Sequence, residues 1–177
     1  MTLANAYLES ATKRSAYYKE LGDRSFVQIP DEAFHFAPNG ASNSIAVIVR
    51  HMAGNMLSRW TNFLTEDGEK TWRERDMEFE EPDLDRAGVI TLWEKGWDCF
   101  LSALRDLNDD DLLKTIHIRS EPLSVVDAIN RQLSHYPYHV GQIVYLARLF
   151  RGDDWQSLSI PKGDSQAFNK GMGHTLR

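Results

Sequence analysis

The chain of 177 residues contains a single cysteine, Cys99, so no disulfide can form within it and a reducing, cytoplasmic setting is the expectation. No apolar run approaches the roughly 18 residues of a membrane span, which leaves no candidate for a lipid-embedded helix. The first residues, MTLANAYLESATKRSAYYKEL, scatter charge throughout and have no apolar centre, so they do not read as a secretory leader. Positive charge is in deficit, with 20 Lys and Arg against 26 Asp and Glu and a formal charge of −6. Because phosphate backbones need a basic face, neither nucleic acid nor a membrane is expected as a partner. Also missing are a Gly-rich phosphate loop, a cysteine pair at zinc spacing, an internal repeat and any extended alternation typical of strands.

What remains is enough for a real core. Apolar residues make up 42% and aromatics 11%, which excludes wholesale disorder, and the length suits one domain over residues 1–177. Four stretches carry helical periodicity. Leu3, Tyr7, Leu8, Ala11, Ser15, Tyr18 and Leu21 draw one stripe, with Gly22 as its expected stop. Residues 23–41 read as an irregular loop, anchored by Phe26, Ile29, Phe34 and Phe36. Ser42, Asn43 and Ser44 offer N-caps for a second helix whose apolar side is Ile45, Ile48, Val49, Met52, Met56, Trp60 and Phe63. Residues 65–85 are highly charged, show no core stripe and read as a long, solvated crossover whose charges pair with one another; the functional alternative is a rim over a site.

A third helix is expected over residues 86–107, with Val89, Ile90, Trp93, Trp97, Phe100, Leu101 and Leu104 inward, followed by an acidic turn at Asp109, Asp110 and Asp111. Residues 114–121 alternate as a short extended or hairpin piece. The fourth helix opens near Pro122 and Ser124, runs to Arg151 and is closed by Gly152, with Pro137 in its middle. The remainder, from Asp153, has no helical period and is expected as an irregular tail over the surface. The fold class is therefore all-α, a four-helix bundle with a long crossover between helices 2 and 3.

Among six histidines, His135 and His139 stand four residues apart on one helix face, where both imidazoles can reach a single ion. His51 lies beside the apolar stripe of helix 2, and in a bundle that helix can face helix 4. His51, His135 and His139 thus form a candidate set of three nitrogen ligands for Zn²⁺ or Ni²⁺, leaving a coordination position open for water or an anionic ligand such as a thiolate. The alternative is ordinary polar residues on helix flanks. His35, His117 and His174 have no partner at ligand spacing; packing is expected for His35, between two phenylalanines. Cys99, beside Trp97 and Phe100, reads as a small buried apolar side chain rather than a nucleophile.

Four segments, SNSIAVIVRHMAGNM, DGEKTWRERDMEFEEPD, RQLSHYPYHVGQIVYLAR and WQSLSIPKGDSQAFN, together resemble the DinB-like superfamily of damage-inducible and YfiT-type proteins, and within it a bacterial branch of unknown function. The resemblance covers roughly residues 40–170. It implies an up-down-down-up bundle and a metal site of three histidines, one on helix 2 and two on helix 4, which fall on His51, His135 and His139. It also implies a homodimer, and in some members a low-molecular-weight thiol as cofactor or a metal-dependent hydrolase activity. By spacing, Asn55, Gln132 and Gln142 are candidates to orient a ligand or water near the ion; the alternative for each is an ordinary polar helix residue.

Two functions follow as expectations. One is a metal-dependent enzyme performing thiol transfer or hydrolysis on a small-molecule substrate. The other is a non-catalytic dimeric ligand-binding or interaction module with a vestigial metal site. A closed structural zinc site is a third possibility and would need a fourth ligand from His35, Asp76 or Glu78.

Overall fold

The computed structural model describes residues 2–171 and is mostly helical. Four long helices, α1 (Leu3–Phe26), α2 (Ile45–Trp60), α3 (Arg86–Asp106) and α4 (Val125–Arg151), carry the core. Each begins on a side-chain cap, in chain order Thr2, Ser44, Asp85 and Ser124. Each cap accepts a backbone N–H that the first turn would leave without a partner. α2 packs on α3 and α4, and α1 packs on α4 and α3. The termination of α4 at Gly152, with φ of 62°, uses a conformation open to glycine. No helix among the described residues is long and apolar enough to cross a membrane.

The centre is aromatic. Trp93, Trp97 and Phe100 of α3, Trp60 of α2 and Tyr136 of α4 are almost wholly buried and meet at ring separations of 4.8 to 6.2 Å. Tyr136 carries a polar handle into this core, and both sides of its hydroxyl are used. It accepts from Trp60 Nε1 at 3.2 Å and donates to Asn55 Oδ1 at 3.1 Å. That chain ties α4 to α2 at one rotational setting, directly beside His135.

Several expectations change. α1 runs through Gly22 instead of stopping there, because the missing side chain admits the indole of Trp93: a Cβ at Gly22 would lie 2.6 Å from Trp93 Cη2. The segment after α1 is not wholly irregular, since Asp31–His35 forms a 3-10 helix that buries Ala33 and Phe34. The tail contains a short exposed helix, α5 (Ser165–Gly171), so the expected irregular tail holds only in part. Pro122 lies in a strand and not in the helix: β1 (Thr115–Ile118) and β2 (Glu121–Ser124) form an antiparallel hairpin. Pro137 does not interrupt the assigned span of α4. His174 lies outside the described residues.

The crossover departs most from its expected character. It contains a 3-10 helix, Asp76–Phe79, packed on α2. Its charges do pair, yet Lys70, Glu78 and the side chain of Arg73 are buried rather than solvated.

Replacing Tyr136 by Phe keeps the ring but strands the Trp60 N–H and the Asn55 carbonyl. Urea denaturation should show a loss of about 1–3 kcal/mol, the usual cost of leaving buried polar groups unpaired.

Candidate metal centre

α2 is buried nearly all round, and against that apolar background a polar row stands out. His51, Asn55 and Arg59 recur at four-residue steps, and all three are buried. On α4 the matching row is Arg131, Gln132, His135, Tyr138 and His139. The two rows line a shared cavity of about 400 Å³, completed by Arg73, Arg75 and Phe79 of the crossover and Arg119 of the hairpin turn.

His51, His135 and His139 point at one spot. The Nε2 atoms of His51 and His135 are 3.4 Å apart, those of His139 and His135 are 3.0 Å apart, and the three ligand atoms all lie within 4.8 Å of one another. Tetrahedral nitrogen ligands at the usual Zn–N length stand about 3.3 Å apart. The two separations through His135 match that spacing, and the cluster as a whole could hold a divalent ion.

The far side of two rings is fixed. His51 Nδ1 faces Glu78 Oε2 at 2.9 Å, and His139 Nδ1 faces Gln142 Oε1 at 2.8 Å. Glu78 also accepts two bonds from Arg73, at 2.7 and 2.8 Å, so as an ionised carboxylate it can only accept, and His51 Nδ1 must donate. With Nδ1 protonated, Nε2 of His51 and of His139 presents a lone pair to the shared spot. Burial pulls the Glu78 carboxyl upward, but Arg73 and His51 outweigh it and hold it below the usual range.

The two imidazoles of α4 are held neutral. His135 is pushed down to about 3, first by burial and then by His139, His51, Arg131 and Arg73. Burial also lowers His139, against a bond to Gln142 that raises it. Neutral imidazoles are the form that binds a metal.

Gly54, three residues after His51, makes the Glu78 contact possible. A Cβ there would lie 2.8 Å from Glu78 Cδ and closer still to its Oε1. The bare helix surface at Gly54 is the seat on which the carboxylate rests.

The other candidates divide. Gln142 contacts His139. Gln132 is 2% exposed and lines the cavity, but its Oε1 has no partner among the described residues. Asn55 also lines the cavity, while its Oδ1 is taken by Tyr136. His35 is not packed away as expected: it is exposed, with Nδ1 2.6 Å from Glu81, whose other oxygen accepts from Ser44 at the head of α2. Asp76 is exposed, and Glu78 reaches His51 from behind, so among the described residues the cluster comprises the three histidines alone. Cys99 is half-buried with its thiol raised by burial, in keeping with an unreactive role. The part played by Arg73 and Glu78 was missed in the sequence. The available signal was the run of polar residues at four-residue steps on α2, which implies something polar to cover it.

Two outcomes follow. Gly54→Ala adds a better helix former, yet the methyl displaces Glu78. Competition with a chromophoric chelator should show zinc affinity lowered about 10–100-fold, the range typical for loss of a ligand's supporting partner. Separately, His135 and His139 bind protons less readily folded than unfolded, so the unfolded chain takes up more protons as pH falls below their ordinary value of 6.5. The melting temperature of metal-free protein should fall from pH 7 to pH 5 (about the range in which an unperturbed histidine titrates), and His135→Asn should flatten that dependence.

Comparison with known proteins agrees with the modesty of the sequence signals. No curated protein matches the chain. One family model, described as a protein of unknown function (DUF1572), matches residues 2–164. That match spans nearly the whole helical body and all three histidines of the cluster, and the chain belongs to this family.

Proposed function

We propose that the protein is a metal-dependent enzyme acting on a small molecule, with His51, His135 and His139 as the ligands of one divalent ion, Zn²⁺ or Ni²⁺. The observation that carries this reading is the convergence of three imidazole nitrogens, 3.0 and 3.4 Å apart along the chain of contacts, at the wall of a 400 Å³ cavity. The resemblance to the DinB-like superfamily supports it as well, since it implies one histidine on the second helix and two on the fourth, and the cluster here is drawn from α2 and α4.

A divalent ion with three neutral nitrogen ligands keeps its full charge and a free position, the chemistry that activates water or a thiol for attack. The chain's own residues supply the setting. Glu78 and Gln142 accept the Nδ1 protons and keep Nε2 of His51 and His139 free to bind. Arg73 holds Glu78 ionised, and Phe79, stacked on His51 at 4.8 Å, shields that ring from water. The cavity opens on Tyr138, which is exposed, so a substrate can enter beside the ligands. Thiol transfer, with a low-molecular-weight thiol as co-substrate, and hydrolysis both fit this setting.

Protein purified without chelator should hold close to one equivalent of zinc or nickel by mass spectrometric metal analysis. His51→Ala and His139→Ala should each reduce that content to background. Full metal retention by both variants would exclude the assignment.

A further inference from the structure

The cavity beside the three histidines is lined by five arginines, Arg59, Arg73, Arg75, Arg119 and Arg131, and among the described residues by no Asp or Glu. This is a local reversal in a chain of net charge −6. Some of the charge is answered from behind: Glu78 takes Arg73, while Glu69 takes Arg59 at 2.9 Å and Arg119 at 3.0 Å. Neither Arg75 nor Arg131 has a carboxylate within ion-pair distance among the described residues. Arg75 lies instead 5.8 Å from the centre of the Phe79 ring.

Two further features belong to the residues around the same space. Side-chain atoms that are buried and unpartnered number four among the described residues, and two of them, Arg73 Nη1 and Gln132 Oε1, belong to residues lining this cavity. The Arg73 side chain is only 2% exposed. Arg73 Nη1 stands 4.0 Å from Glu69 Oε2, too far for a hydrogen bond, so its N–H demand is unmet.

The hairpin turn is the second feature. Arg119 and Ser120 both have positive φ, 56° and 63°, at the two central positions of the turn. Glycine or asparagine is the usual choice there, and a long side chain in that conformation is strained. Asp67 of the crossover offsets this by accepting both backbone N–H groups, at 2.9 and 2.7 Å. The outcome is an arginine held at the cavity rim by a turn that does not favour it.

We infer that the substrate of this site carries an oxyanion, a carboxylate or a phosphate, which Arg75 and Arg131 bind beside the three-histidine cluster. The inference deepens the metal-dependent reading and rests on it for the position of the reacting group. The planar forks of arginine match the paired oxygens of such groups and hold them in one orientation. A bound anion also relieves the mutual repulsion of the guanidinium groups, and a cation on the histidines adds to the same demand.

Arg75 and Arg131 are exposed, so Arg75→Gln with Arg131→Gln leaves the buried Arg73–Glu78 pair intact. Calorimetric titration of the zinc-loaded full chain uses inorganic phosphate, succinate and, as the uncharged counterpart, succinamide. At least one anion should bind and succinamide should not. The double variant should weaken the anion at least tenfold, with zinc content unchanged. Phosphate alone, succinate alone, or both binding assigns the oxyanion as phosphate, carboxylate or either. Equal binding of succinamide, no anion binding, or an unchanged anion affinity in the double variant would overturn the inference. The same titrations on chelator-treated protein separate the two readings: arginine-dependent anion binding that persists there stands even if native protein proves to hold no metal.

Discussion

Two imidazole lone pairs aimed at the same point repel, and a third ring at 3.0 to 3.4 Å cannot donate one proton to both neighbours. This constraint organises the structure around His51, His135 and His139. A small cation at the shared point resolves it, whereas protonation would place like charges within contact distance in a half-buried setting. The helices do not adjust to avoid the conflict. α2 and α4 are locked in register beneath it by the Trp60–Tyr136–Asn55 chain, one residue from His135 and one helical turn from His51.

The crossover acts as the second wall of the site. Its buried Arg73–Glu78 pair would gain little stability as a pair alone, since the cost of desolvating both charges offsets most of their attraction. The geometry gives it another role: Glu78 orients His51, and Arg73 keeps Glu78 ionised. Gly54 leaves the gap in α2 that lets the carboxylate approach. A helix residue without a side chain, a buried ion pair and a histidine tautomer are thus one arrangement, spread over three places in the chain.

Charge on this protein is distributed by location and not by total. The surface is acidic overall, yet the cavity gathers guanidinium groups from α2, the crossover, the hairpin turn and α4. Glu69 and Glu78 stand behind Arg59, Arg73 and Arg119 and steady them without lining the cavity. Net charge bears on a phosphate backbone spread over a broad face. It says nothing about one small anion in a cleft, where the local field decides.

The four long helices, their caps at Ser44 and Ser124, the apolar face of α3 and the His135–His139 pair were legible from the amino-acid order, because period, capping chemistry and short spacing are local properties. Gly22 misled for a physical reason: a glycine at a helix end and a glycine beneath an indole look alike until Trp93 is seen against it. Asp67, Arg73 and Glu78 read as members of a solvated charge run, since only the fold shows that the run turns inward over α2 and clasps the hairpin. The sequence by itself determined the four long helices and which residues offer imidazole nitrogens on α2 and α4. Tertiary structure decided that α2 and α4 face each other across one cavity, that a crossover carboxylate stands behind one of those ligands, and that arginines from four elements share the space before them, because contacts between residues tens of positions apart leave no periodic trace in the chain.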